Sequence, residues 1–245
     1  MHSEIIYEGP THKWVMFGRD PNRSDQIIDT NQYMIISGDE AIILDPGGVE
    51  LFAPMLSSVL KYVELEQIKY LFASHQDPDI ISSLGFWDKT LENAKLFSPW
   101  LWEGFIRHFG MQHIEYVPIP DTGMVIQLGN ISLNFSPAHY LHSSGNFNVY
   151  DPQAKILMSG DIGAALEEGE VPLFVKDFNS HTPNMKLFHQ RWMPSNRAKN
   201  EWCNRVRSMD IDMMAPQHGR IFKGEHVDNF VNWFEALEVG SAKNL

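Results

Sequence analysis

The chain has 245 residues, 43% hydrophobic and 12% aromatic with seven Trp, a composition that suits a packed globular protein and excludes a disordered or fibrous one. Its formal net charge of −12 and pI near 5.3 oppose the basic stripe by which binders of nucleic acid and anionic membranes recognise phosphate, so neither is expected as a partner. This length is enough to bury one large core, and a single domain over residues 1–245 is expected.

The opening MHSEIIYEGPTHKW has no basic segment followed by an apolar run, and no apolar run in the chain approaches the ~20 residues of a membrane span. Cys203 is the single cysteine, set in EWCNRVR on what reads as the apolar side of a helix. A soluble cytoplasmic protein with a structural thiol and no disulfide is expected.

Strand patterns come early, at 13–18 (KWVMFG), 31–37 (NQYMIIS) and 40–45 (EAIILD). Gly38-Asp39 joins the last two as a hairpin. After Asp45-Pro46-Gly47-Gly48, apolar residues from Leu51 to Val63 recur at helical spacing. The strand IKYLFAS (68–74) follows, apolar enough to be buried on both faces. Then come a strand at 94–98, an aromatic-rich helix at 100–110, and strands at 124–129, 131–138, 147–151 and 155–161. Residues 162–182 show no sustained period and read as a lid or binding loop. Pro183 is expected to open a helix with Met185, Phe188 and Trp192 on one face, and Pro194 to break it. A second helix runs from about 195 to 209, then a strand at 211–216 and a final helix at 227–237. Two sheets with helices on their outer faces accommodate this order.

The stretch ASHQDPDI (73–80) places His75, Asp77 and Asp79 on alternate positions at a strand's end. Alternate residues of extended chain face the same way, and Pro78 opposes a regular helix that would absorb the acids onto its surface. Three more candidates stand at strand ends or turns: His142 in HYLHSSGNF, Asp161 in LMSGDIG and His218 in APQHGRIF. Taken singly, each reads as a turn residue or a hydrogen-bonded core group.

Taken together, these residues resemble the flavodiiron branch of the metallo-β-lactamase fold. His75-Gln76-Asp77-Pro78-Asp79 is similar to that branch's His-x-Glu-x-Asp. His142 lies 67 residues after His75, Asp161 a further 19 and His218 a further 57. The neighbouring NQYMII, ILDPGG, KILMSGD and APQHG are similar too, and the resemblance covers about residues 30–225. It implies an α/β fold, a four-layer αββα sandwich of the metallo-β-lactamase type. It also implies a dinuclear site in which His75, Asp77 and His142 hold one metal, Asp79 and His218 the other, and Asp161 bridges. Asp77 stands where that branch usually has Glu. Asp77 and Ile80 stand where the hydrolases of the superfamily have histidines.

Three imidazoles and three carboxylates suit iron or manganese better than zinc, which favours nitrogen and sulfur ligands in four-coordination. Two iron ions are therefore expected, with zinc or manganese as alternatives. His139 faces away from His142 if their segment is extended, which gives it a supporting or structural role. His181 closes the long loop and is a candidate to hydrogen-bond a bound oxygen species, a surface position being the alternative. The remaining histidines, His189 among them, read as surface or packing residues.

Flavodiiron reductases carry a flavodoxin-like FMN domain after the diiron domain. Here about 27 residues follow His218, with no Gly-rich phosphate loop and no Cys pair, so no FMN is expected on this chain. The resemblance then implies a stand-alone diiron protein that binds dioxygen or NO, for sensing or for reduction with electrons from a separate partner. One alternative is an O2 or NO reductase component fed by an external flavoprotein. Another is a binuclear zinc hydrolase in which a bridging hydroxide attacks an ester, thioester or phosphodiester, a reading weakened by the missing histidines. A signalling protein or an electron-donor flavoprotein is the expected partner, with homodimerisation open.

Overall fold

A computed structural model describes residues 1–18, 27–167, 169 and 171–241. Their strands form two sheets, and the chain divides into two compact units, Met1–Leu133 and Asn134–Leu245.

The sheet of the first unit has the order β1 (His2–Glu8), β2 (Lys13–Gly18), β3 (Gln32–Ser37), β4 (Glu40–Leu44), β5 (Ile68–Phe72), β6 (Lys95–Pro99) and β7 (Glu115–Ile119). β1 to β4 are an antiparallel meander. The expected hairpin closes at the Ser37–Glu40 pair, where Gly38 takes a positive φ of 59° that a side chain would disfavour. From β4 to β7 the pairing is parallel, which requires crossovers. These carry α1 (Phe52–Val59), then α2 (Pro78–Ile81) and α3 (Leu84–Thr90), then α4 (Glu103–Ile106). Met55, Val59, Ile80, Leu84, Trp87 and Ile106 of these helices form one buried cluster with Val15, Met34, Ile43, Leu71 and Leu96 of the strands. The parallel strands thus end together at the edge where the helices begin, and the end of β5 carries His75.

The second sheet has the order β8 (Met124–Leu128), β9 (Ile131–Pro137), β10 (Phe147–Asp151), β11 (Ile156–Gly160), β12 (Met213–Pro216) and β13 (Phe222–Lys223). The boundary between the units falls inside β9. β9, β10 and β11 are antiparallel, while β11 and β12 run parallel. That crossover carries α5 (Phe178–Trp192) and α6 (Asn196–Arg207), and α7 (Glu225–Ala236) follows β13. Met185, Trp202, Cys203, Phe230 and Phe234 of the helices are buried with Leu157, Met214 and Phe222 of the strands. Cys203 is a packing residue, as its setting suggested, and burial pushes its thiol pKa up to about 11. Among the described residues, no helix is long and apolar enough to cross a membrane.

Two expectations need correction here. Pro183 does not open the helix. α5 begins five residues earlier, where the Asp177 side chain accepts from the Asn179 N–H at 3.0 Å, a helix N-cap. Pro183 sits inside the helix and cannot donate to the Asn179 carbonyl, which takes the Thr182 hydroxyl at 2.9 Å instead, so the helix tolerates it. The unpatterned 162–182 stretch is accordingly shorter than a free lid. Phe174 bridges Ile221, and Val175 donates to the Ile221 carbonyl at 2.9 Å. Residues 168 and 170 of that stretch lie outside the described residues. The sequence pattern also missed β1, β7 and β13, which are exposed or short, and the two small helices α2 and α3.

Candidate metal centre

In the first unit the chain leaves β5 at Phe72 and places His75 fully buried three residues on. The Ser74 N–H donates to Asp45 Oδ1 at 2.7 Å and the Ser74 hydroxyl to Asp45 Oδ2 at 2.8 Å. The same hydroxyl oxygen lies 2.9 Å from His75 Nδ1. A hydroxyl has one proton, and Asp45 takes it, so Ser74 accepts from His75 and the imidazole carries its proton on Nδ1. Nε2 then presents its lone pair, as in the carboxylate-supported histidines that hold metals. His75 Nε2 is 3.7 Å from Asp77 Oδ2.

The triplet is not an extended strand. β5 ends before it, and Asp77 is the N-cap of α2 with Pro78 in the first turn. There the missing proline N–H would have had no helical partner, and the fixed φ suits the turn. Asp77 and Asp79 therefore flank a helix start rather than alternate along a strand, and Ile80 is fully buried in the first unit's core.

In the second unit, Asp161 follows β11 and His218 follows β12, two parallel neighbours whose C-terminal ends lie side by side. Asp161 Oδ1 lies 3.0 Å from His218 Nε2, and Asp161 Oδ2 lies 3.2 Å from His142 Nε2. One carboxylate oxygen thus meets each ring, and Asp161 and His218 are buried. His142 sits in a turn after β9, with positive φ at Tyr140 and His142 (60° and 68°) and a Tyr140 N–H to Ser143 carbonyl bond of 2.9 Å. The segment is not extended, so the opposite-facing argument for His139 fails. His139 packs edge-on against Phe147, with ring centroids 5.1 Å apart.

The His142 ring is stacked on Phe188 at 5.8 Å with planes 5° apart, and lies 5.2 Å from Trp192. Both aromatics project from α5 and belong to the helical face predicted with Met185. His218 is tied to the preceding loop, because its carbonyl accepts from Ala165 N–H at 3.2 Å. Two residues on, Arg220 grips Glu167 through Nη2 at 2.7 Å and Nε at 3.1 Å. Gly219, at φ +80°, sits so close to Ala165 that a Cβ would come within 2.8 Å of it, which accounts for glycine in APQHG.

His181 is neither at a loop end nor on the surface. It is buried in α5, 3.8 Å from Glu167 and edge-on to Phe222. Burial holds its pKa below the usual imidazole value. Asp45 and Ser74 are supporting residues that the sequence reading missed. Only the word ILDPGG pointed to Asp45, and the 29 residues separating it from Ser74 hide the pairing.

The donor chemistry fits a metal: His75 has its tautomer set for ligation, and a buried carboxylate divides its oxygens between two imidazole nitrogens. Nitrogen and oxygen donors without sulfur suit iron or manganese.

Residues 28–219 match the model of the ODP family beta lactamase. The solved structure of the peroxy diiron species of chemotaxis sensor ODP is 37% identical, with a TM-score of 0.87, covering 98% of this chain and 97% of that chain. The apo state of chemotaxis sensor ODP from T. denticola is also 37% identical, at TM-score 0.85 and coverage of 98% and 96%. The flavodiiron protein from Giardia intestinalis shares the fold at 17% identity and TM-score 0.82, covering 96% of this chain and 59% of that one. An uncharacterized protein of Methanocaldococcus jannaschii is 22% identical over 218 residues, 87% of this chain and 54% of the relative. The chain therefore spans about half the length of that curated relative. The mixed α/β architecture with two sheets is the metallo-β-lactamase-like fold of these proteins.

Proposed function

The chain belongs to the ODP family of beta-lactamase-fold proteins, and from that premise we propose that it is a non-haem diiron protein that binds dioxygen and passes its state to a signalling partner. The observation that carries the reading is the Asp161 carboxylate with one oxygen at each of two imidazole Nε2 atoms, the division expected of a bridging ligand. In the proposed centre His75, Asp77 and His142 would hold one iron and Asp79 and His218 the other, with the Asp161 carboxylate shared between them. A ferrous pair held there would have two electrons to give to dioxygen. The chain's own residues fix the imidazole tautomer at His75 through Ser74 and Asp45 and cover one face of His142 with Phe188. The 37% identity to a chemotaxis sensor supports sensing over turnover, with NO as a second diatomic ligand. The proposed setting is one cytoplasmic domain over residues 1–245, with a homodimer as a candidate assembly.

The hydrolase reading is disfavoured at Ile80. This position, a histidine in the hydrolases, holds an apolar side chain packed into the core. The experiment is anaerobic loading with ferrous iron followed by air. A visible ferric band should develop, and O2 uptake should stop near one molecule per iron pair. Nitrocefin, thioesters and phosphodiesters should show only trace turnover. Sustained O2 uptake with NADH and an added flavoprotein would instead assign the chain as a reductase component.

A further inference from the structure

α5 carries a buried histidine that the proposed ligand set does not use. His189 is fully buried, with its ring among Phe188, Phe230, Trp233 and Phe234. One ring nitrogen, Nδ1, lies 2.8 Å from the Met185 carbonyl one helical turn back. A carbonyl only accepts, so Nδ1 carries the proton. The other nitrogen, Nε2, accepts from the backbone N–H of Gly163 at 3.0 Å.

Gly163 ends the short turn that leaves β11 and holds Asp161. The turn is drawn tight by Ser159 Oγ donating to the Ile162 carbonyl at 2.6 Å. Gly163 itself has φ +97°, and a Cβ there would come within 2.8 Å of Met214 Cε. That φ is one a side chain would disfavour, and at the turn's far end the Gly163 N–H is accepted by the His189 imidazole lone pair. A lysine or a protonated histidine in place of His189 could not accept that N–H, and a buried amide without an acceptor costs about 1–3 kcal/mol.

We propose that His189 is a positioning residue for the carboxylate of Asp161: by accepting the Gly163 N–H from a rigid aromatic pocket, it sets the turn that aims one carboxylate oxygen at His142 and the other at His218. One helix would then serve all three ligand turns of this unit, with Phe188 and Trp192 against the His142 ring, Phe188 also beside the His218 ring, and His189 under the Asp161 turn. The consequence for metal binding rests on the diiron reading above; the turn geometry does not.

The test has two arms. In metal-free wild-type protein, long-range proton–nitrogen NMR should find His189 protonated on Nδ1 and bare on Nε2, with the Gly163 amide strongly protected from exchange. The opposite tautomer, or a fast-exchanging Gly163 amide, overturns the proposal whatever metal the protein holds. In the second arm, His189→Phe keeps the ring volume and removes the acceptor. It should speed Gly163 exchange selectively and weaken metal affinity roughly 10–100-fold, the usual cost of losing support behind a ligand. His189→Gln, whose side-chain oxygen can accept, should recover part of both. Unchanged affinity and unchanged Gly163 exchange in folded His189→Phe overturn the proposal. If His189→Phe fails to fold, the wild-type tautomer and exchange data decide alone. A selective rise in Gly163 exchange in a protein that binds no iron would fault the diiron reading and leave the turn assignment standing.

Discussion

The two units bring their three candidate ligands to the end of a sheet in different ways. In the first, His75, Asp77 and Asp79 span five residues at one exit, where β5 gives way to the four-residue α2. In the second, His142, Asp161 and His218 come from three separate turns spread over 77 residues and meet through one buried carboxylate. The local triplet depends on a helix start and on one hydrogen-bonded serine. The dispersed triplet depends on strand pairing and on α5, which packs against all three of its turns. Local ligands are cheap to hold, and dispersed ones make the site an outcome of the whole unit's packing.

The comparison breaks most sharply at Asp161. Asp161→Ala removes the carboxylate that contacts both His142 and His218, and should take metal content per chain from two to near zero. Asp79→Ala, confined to the local triplet, should leave one position filled. Metal analysis of both variants purified side by side checks the difference, and equal losses would show that Asp161 does not bridge.

Acid should strike the second unit harder. Burial holds the folded-state pKa of His189 down to about 4, from an ordinary value of 6.5. Between those two values the unfolded chain binds a proton that the folded chain refuses. Metal-free stability should therefore fall as pH drops from 6.5 towards 4, by about 3 kcal/mol at the lower end for this group, and should return above 6.5. Urea titrations across that range measure it. His189→Phe should lose that part of the slope.

A smaller effect is expected in the first unit from Ser74→Ala, which cuts the link from Asp45 to His75 Nδ1. Metal affinity should weaken roughly 10–100-fold, while the fold remains, and competition with a chelator reads it. His139→Ala should have the least effect. It removes a ring packed on Phe147 and should leave metal content unchanged. A loss equal to that of His142→Ala would reassign the pair.

The same contrast explains what could be read from sequence. Strands β2 to β4, the β11 and β12 exits and α6 follow hydrophobic period closely, because buried two-sided strands and amphipathic helices leave strong patterns. The six candidate ligands stand out in the sequence only because their words and intervals resemble a family, and singly each looks ordinary. Pro78 misled because the property that excludes proline from a helix interior suits it to the first turn. Pro183 misled because the Thr182 hydroxyl stands in for the missing donor at Asn179, a substitution that no period reveals. Asp45 and Ser74, and His189 and Gly163, are hydrogen-bonded over separations of 29 and 26 residues. Nothing local marks such pairs, and His189 in particular reads as one more packing histidine.

The most direct test of the dinuclear centre is the metal content of protein purified without oxygen from iron-replete cells, with its absorption spectrum taken before and after air. Two ions per chain, mainly iron, and a visible band that appears with oxygen are the expected result. One ion per chain, or a zinc form that hydrolyses thioesters or phosphodiesters rapidly and loses that activity in Asp79→Ala and His218→Ala, would contradict it.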